Sequence, residues 1–435
     1  MPDAPRRPGP LRVALFTGAY NHIADGVSLT LNRLVAYLLD EGVDVRVFAP
    51  TIPDPPVQHA GMLIPVPSLP MPGRPEYRVS VGMHRAARRY LAGFAPDLVH
   101  VATPDWSGLQ ARRYALRHRL PLVATYHTHF ASYLDYYGLG WLERQGWTIL
   151  RHFYRRFDRV YVPSVSMADI LKGHGFDGNL HLWPRGVDTD LFAPSRRSDA
   201  WRTEHGFSPD DVLVTYVGRL VAEKGLSVYA EMVKQLTAEG VPHRSVVVGE
   251  GPLRPELEAE LPQTVFLGHL EREALAEAYA SSDVFVFPSE TETFGNVTLE
   301  AMASGLPTIC ADAPGSRSLV LPEKTGLLCP PRDAEAFTEA VRALVQDVST
   351  RRAMGEAAHE RAQAYSWPCL LRRMLDEYGK LTGLSADGQP LAASEPLASM
   401  GDGSPGMLPN GPARKHTSSD RAARTERPYP AGDRR

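Results

Sequence analysis

Residues 12–48 read RVALF TGAYNHIADG VSLTLNRLVAYLLDEG VDVRVF, and three patterns follow one another in them. Arg12 to Phe16 is a short apolar run of the kind found in a strand buried on both faces. Thr17 to Gly26 is a loop, Ser28 to Asp40 repeats its apolar residues at helical spacing, and Val43 to Phe48 is a second strand. Strand, loop, amphipathic helix and strand make a βαβ unit, and a crossover of that length forces parallel pairing. Further out, Asp97 to Val101, Pro121 to Thr125 and Arg159 to Val162 read as later strands of the same layer. The proline-dense stretch Thr51 to Pro75 reads as an extended surface excursion.

The pattern restarts after about residue 200. Val212 to Val217, Arg244 to Val248, Val265 to Leu267, Asp283 to Phe287 and Pro307 to Cys310 are short buried strands. Helical patterns separate them at Ser227 to Glu239, Glu271 to Ala280 and Ala334 to Gln346. The chain is therefore α/β, with two successive doubly wound parallel-sheet units joined near Asp188 to Pro209. From Gly383 onward Pro, Gly, Ser and Arg dominate without apolar periodicity, and residues 383–435 are expected to be a disordered tail. The expected divisions are a disordered start at 1–10, a first domain at 11–195 and a second at 196–366.

The 435 residues suit two or three domains of ordinary size. Hydrophobic residues at 43% and charged residues at 22% fit a folded soluble enzyme and exclude a disordered chain. No apolar run is long enough for a spanning helix, and Met1 to Pro10 lacks the apolar region of a secretory leader. Cys310, Cys329 and Cys369 are scattered, so a disulfide framework or structural zinc site is not expected and a cytoplasmic location is. The charge is uneven: Leu11 to Asp190 carries 19 Lys and Arg against 15 Asp and Glu, whereas Trp201 to Tyr365 carries 14 against 25. The two halves should face different partners, and the small basic excess makes nucleic acid a poor one.

The strongest chemical signal is PSETETFGNVTLEAMASGLP, residues 288–307. It places a loop behind a buried strand and then a helix starting near Asn296. Free amides at a helix start, aided by the helix dipole, attract anions, and Gly295 permits a close approach. Glu292 and Glu300 would suit sugar hydroxyls, since a carboxylate accepts from vicinal hydroxyls. Equally, Glu292 could cap the helix and Glu300 could lie on a solvated face. Val217 to Gly225, VGRLVAEKG, follows another strand, and its Arg219 and Lys224 could neutralise a diphosphate. That spacing is common on its own. Gly249 to Pro252 and Gly268-His-Leu270 also follow strand ends, where open sheets bind ligands or simply turn.

In the first half, Asp25-Gly-Val-Ser28 lies between the first strand and its helix, but the full G-x-G-x-x-G fingerprint is missing, which argues against a dinucleotide cofactor. Tyr126-His-Thr-His129 follows a strand end, and His127 there is a site candidate rather than a core histidine. No third ligand accompanies the histidines, so metal is not expected. Asp188-Thr-Asp190 has a D-x-D spacing but stands in the inter-domain segment and is set aside as a metal motif. Trp141 to Arg159 interleaves Trp141, Trp147, Leu150, Phe153, Tyr154 and Phe157 with five arginines. It is either a surface that lies on an anionic membrane or a helix with its aromatics in the core and its arginines in water.

Taken together, Gly218-Arg-Leu with Glu223-Lys-Gly225, the Glu292 to Glu300 stretch, and Arg185-Gly-Val-Asp with Phe192 resemble the retaining family 4 glycosyltransferases over about residues 11–382. The resemblance implies the GT-B architecture: two Rossmann-like domains facing across a cleft, with a final helix, here 367–382, returning to the first. Tyr126-His-Thr and Asp25-Gly-Val-Ser are similar to the glycolipid-forming branch, which includes sulfoquinovosyl-diacylglycerol synthases and lipid mannosyltransferases. Carried over by position, Glu300 would hold the donor ribose and Glu292 the transferred sugar. Arg219 and Lys224 would grip the diphosphate, helped by the backbone of Phe294, Gly295, Asn296 and Val297. Gly26 would approach the phosphate from the first domain, His127 would lie near the reacting carbon, and Gly268, His269 and Leu270 would contact the base.

The resemblance implies a hexosyltransferase that needs neither metal nor cofactor and takes a nucleotide-diphosphate sugar as donor. Its acceptor would be a membrane lipid or glycan precursor, with peripheral contact through the basic first domain at the inner face of the cytoplasmic membrane. A nucleotide-sugar epimerase on the same fold, an oxidoreductase, and a non-catalytic sugar-nucleotide binding protein are the competing expectations.

Overall fold

The computed structural model describes residues 9–71, 74–126, 143–176, 179–292 and 294–391. The expected opening unit is present as β1 (Arg12–Phe16), the helix Gly26–Asp40 and β2 (Asp44–Ala49). Asp25 starts the helix by accepting from the Val27 and Ser28 amides, while the Ser28 hydroxyl accepts the Asp25 amide in return. Leu31, Leu34, Val35 and Leu38, at helical spacing, turn into the core.

β3 (Met62–Pro65) follows, then an antiparallel hairpin of β4 (Ser68–Met71) and β5 (Arg74–Ser80). β6 (Leu98–Val101), β7 (Leu122–Thr125), β8 (Arg159–Val162) and β9 (Leu180–Leu182) complete the half. The main sheet has seven strands in the order β3-β2-β1-β6-β7-β8-β9, all pairs parallel. The proline-dense excursion therefore contains β3, which pairs along β2 from Met62 opposite Arg46 to Pro65 opposite Ala49. As an edge strand it is only half covered, so it lacks the continuous apolar run of a central strand.

The second sheet contains β10 (Leu213–Val217), β11 (Arg244–Val248), β12 (Val265–Gly268), β13 (Val284–Phe287), β14 (Thr308–Ala311) and β15 (Gly326–Cys329). Its order is β12-β11-β10-β13-β14-β15, again parallel throughout. In each sheet the strand order reverses beside the first strand, between β1 and β6 and between β10 and β13. Ligands of open α/β sheets bind outside the carboxyl ends of the strands at such a reversal. The loops leaving β10 and β13 are the two stretches singled out by their sequence.

The chain crosses between the sheets twice, and the crossings pair. The Val187 amide donates to the Tyr365 carbonyl at 2.9 Å, and the Trp367 amide to the Val187 carbonyl at 3.2 Å. Val187, Leu191 and Phe192 already pack into the second core, so that core begins upstream of the expected border at residue 196. The helix Trp367–Thr382 returns to the first core through Leu371, Met374 and Tyr378, and the Tyr378 hydroxyl lies 2.6 Å from His100 Nδ1. Beyond it, residues 383–391, placed in the disordered tail on composition, are ordered. The Leu11 amide donates to the Ala386 carbonyl at 2.9 Å, and Leu384 and Ala386 pack on the first core. The segment folds back on itself, the Leu391 amide donating to the Gly383 carbonyl at 2.8 Å, and such local turns leave no apolar periodicity.

Candidate active site

The loops after β10 and β13 are locked together by a glycine. Gly225 closes the single turn Ala222–Lys224 and starts the helix Leu226–Ala238 at φ +72°. A Cβ there would lie 2.5 Å from the Pro288 carbonyl oxygen, so only glycine allows the two loops to touch. The Thr291 hydroxyl adds a bond to the Glu223 carbonyl at 3.3 Å. The result is that Lys224 and Glu292, 68 residues apart, form an ion pair. Both are largely shielded from water, which strengthens the pair. Arg219 is 72% exposed at the mouth of the same loop, with Glu223 at 3.7 Å, and is therefore open to a ligand.

The helix Asn296–Ala303 begins at Gly295, whose φ of +95° is left-handed, and no side chain caps it. Its first amides thus remain available to an anion. Phe294 is buried and lies 6.2 Å, ring to ring, from Tyr365, so its contribution to a ligand is confined to its backbone. Glu300 lies one turn into the helix, with the Tyr279 hydroxyl 3.4 Å from its Oε2. Burial pushes the Glu300 carboxyl up to about 7, and the Tyr279 bond and Arg272 only partly offset this. Tyr279 also donates to the Val297 carbonyl at 3.2 Å. The readings of Glu292 as a helix cap and Glu300 as a solvated residue do not describe this geometry.

Gly268, at φ +69°, accepts from the Gly249 amide at 2.8 Å, so its carbonyl is engaged within the fold. His269 is exposed and Leu270 half-buried at the rim of the second sheet. On the first-domain side, Gly26 opens its helix directly under the Arg185 guanidinium: a Cβ at Gly26 would lie 2.9 Å from Arg185 Nη1. His127 lies outside the described residues.

The set-aside D-x-D is accounted for: Asp188 pairs with Arg272 at 2.9 Å and caps the Leu191 amide at 3.2 Å. Among the described residues no three His, Cys, Asp or Glu converge as metal ligands. In the aromatic–arginine stretch, Trp147, Leu150, Phe153, Tyr154 and Phe157 are core residues, while Arg144, Arg151, Arg155 and Arg156 face water. This is the core-helix reading for the described residues, outside which Trp141 lies. Arg185, Tyr279 and Arg272 were given no role from sequence. Arg185 stood inside a quoted motif, whereas nothing local marked the other two.

Two family models match: "Glycosyltransferase Family 4" over residues 24–191 and "Glycosyl transferases group 1" over residues 197–361. The chain is 37% identical to a GDP-mannose-dependent alpha-mannosyltransferase of Mycolicibacterium smegmatis, covering 86% of this chain and 98% of the relative. It is 33% identical to the sulfoquinovosyl transferase SQD2 of Arabidopsis thaliana, covering 85% and 73%. Among solved structures it is similar to a sucrose-phosphate synthase from Thermosynechococcus elongatus, with a TM-score of 0.64, 25% identity and coverage of 85% and 99%. These relatives are transferases and synthases, and they lend no support to an epimerase.

Proposed function

The chain belongs to the family 4 glycosyltransferases, a hexosyltransferase of GT-B architecture, and from that premise we propose how its cleft handles donor and acceptor. The donor is GDP-mannose, a reading supported by the mannosyltransferase relative's match over nearly its whole length. Glu300 accepts from the ribose hydroxyls and Glu292 from hydroxyls of the transferred sugar. Arg219, Lys224 and the amides of Gly295, Asn296 and Val297 hold the diphosphate, with the Phe294 backbone alongside. His269 and Leu270 offer backbone to the base, and Gly26 meets the phosphate as the cleft closes. His127 is placed near the reacting carbon by its sequence position.

The bond between the anomeric carbon and the β-phosphate oxygen breaks as negative charge gathers on the diphosphate. Cations and amides fixed in advance stabilise that charge without reorganising. The acceptor hydroxyl attacks on the face the phosphate leaves, retaining configuration, and its proton passes to the departing phosphate oxygen. No metal or cofactor enters this scheme. The observation that carries it is the Lys224–Glu292 pair, which sets a diphosphate cation beside a sugar-binding carboxylate before any donor arrives.

The acceptor is a membrane lipid, and the enzyme meets the bilayer through water-facing arginines of its first domain. No helix among the described residues is long and apolar enough to cross a membrane. A screen of radiolabelled GDP-, UDP- and ADP-sugars against a lipid extract, counting the organic phase, tests both assignments. Label reaching that phase only from a donor other than GDP-mannose would overturn the donor; label confined to water would overturn the acceptor. Lys224→Ala and Arg219→Ala should each lower kcat about a hundredfold to a thousandfold while melting like the wild type. Unchanged turnover in both would remove their role.

A further inference from the structure

Arg185 is a cation that the proposed chemistry does not use. It stands between β9 and the crossing at Val187, half-buried, with its guanidinium on the face where Gly26 has no side chain. Trp183, Pro184, Thr30 and Tyr161 line the same small recess at the carboxyl ends of the first sheet's strands. No hydrogen bond or ion pair satisfies the guanidinium among the described residues. Burial pulls its pKa down, and the charges of Asp25 on the first domain and Glu292 on the second pull it back. A guanidinium carries five donors in a fixed fork, and here they are offered to a ligand rather than to the protein.

Two of the helix amides beneath it are already engaged. Asp25 Oδ1 already accepts from the Val27 and Ser28 amides at 3.1 and 2.8 Å. The Gly26 carbonyl takes the Thr30 hydroxyl at 2.7 Å. The Gly26 amide and the Arg185 guanidinium are left as donors on this wall, and any group that reaches the Gly26 backbone also reaches the guanidinium.

We propose that Arg185 is a third diphosphate-binding cation, which meets the β-phosphate from the first-domain wall when Arg219 and Lys224 bring the donor across. This rests on the reading of Arg219 and Lys224 given above. The planar fork suits two phosphate oxygens at once. The charge of Glu292, on the proposed sugar side of the cleft, also reaches it.

Calorimetric binding of GDP and GMP to the full chain, with kcat from the donor screen, tests the proposal. Arg185→Ala and the volume-keeping Arg185→Gln should both lower kcat at least about tenfold and shrink the preference for GDP over GMP by about fivefold or more. A merely structural arginine would shift the melting temperature without touching that preference. If both variants keep the wild-type preference while Lys224→Ala loses it, Arg185 has no part and the two-cation reading stands. If the wild type itself does not prefer the diphosphate, both fall.

Discussion

Glu300 is the side chain in which burial and binding pull in opposite directions. Its carboxylate is the form that accepts from hydroxyls, yet burial lifts its pKa to about 7, so much of it is protonated near neutrality in the unliganded cleft. Donor affinity should therefore fall as pH drops through 7, by about tenfold between pH 8 and pH 6. Titration calorimetry across that range reads it directly, and Glu300→Gln should bind weakly with a flat profile; a flat wild type would remove Glu300 from the ribose site. The linkage has the same origin. Because the folded pKa lies above the unfolded one, the native state holds the extra proton between about 4.5 and 7, and stability declines as pH rises through that window. At this scale the sequence was informative where chemistry is local. Arg219, Lys224, Glu292 and Glu300 stand in two short stretches whose residue types announce a charged sugar ligand. Arg185 was not legible because its meaning comes from Gly26, 159 residues earlier and on another element. Tyr279 likewise acquires its role only when its helix packs beside Glu300.

Between residues and whole molecule stand the loops, and the contact of Gly225 with Pro288 is what makes one site of two. Gly225→Ala combines a left-handed backbone with a Cβ only 2.5 Å from a carbonyl oxygen, and backbone cannot yield as a flexible side chain does. The expected loss is about 1–3 kcal/mol or more in urea unfolding. The second-domain loops should also part, so that Lys224 leaves Glu292 and kcat falls further than stability alone would dictate. A variant with wild-type unfolding and turnover would show that the loops meet without help from this glycine. The central strands were all readable, because burial on both faces leaves an unbroken apolar run, as in Leu213–Val217. The missed strands β3, β4, β5, β9 and β15 are all sheet edges, where that signal fades. The helix Glu143–Tyr154 shows the converse limit. Its aromatic and arginine faces were plain in the sequence, but which face met protein depended on the neighbouring sheet.

Across the whole molecule the basic half carries its charge unevenly. Arg112 and Arg113 on the helix Trp106–His118 gather beside Arg155 and Arg156, which follow the helix Glu143–Tyr154. None of the four is in an ion pair among the described residues. Burial first, then Arg155, Arg156 and Arg113, lower the Arg112 pKa, which marks mutual repulsion within the group. Arg112 itself is buried, donating to the His152 carbonyl and lying over the Phe153 ring, so the members exposed to an anionic surface are Arg113, Arg155 and Arg156. A bilayer rich in anionic lipid attracts each such arginine by about 1 kcal/mol. Sedimentation with phosphatidylserine vesicles should show binding that phosphatidylcholine vesicles do not support and that 0.5 M salt, roughly three times physiological ionic strength, removes. Arg155→Gln with Arg156→Gln should lower the partition by roughly thirtyfold, while the melting temperature holds or rises because repulsion is relieved. Neither residue lies in the donor site, so turnover with a detergent-dispersed acceptor should be unchanged. Vesicle binding that survives both the salt and the double variant would place the contact elsewhere, on apolar side chains rather than on this charge.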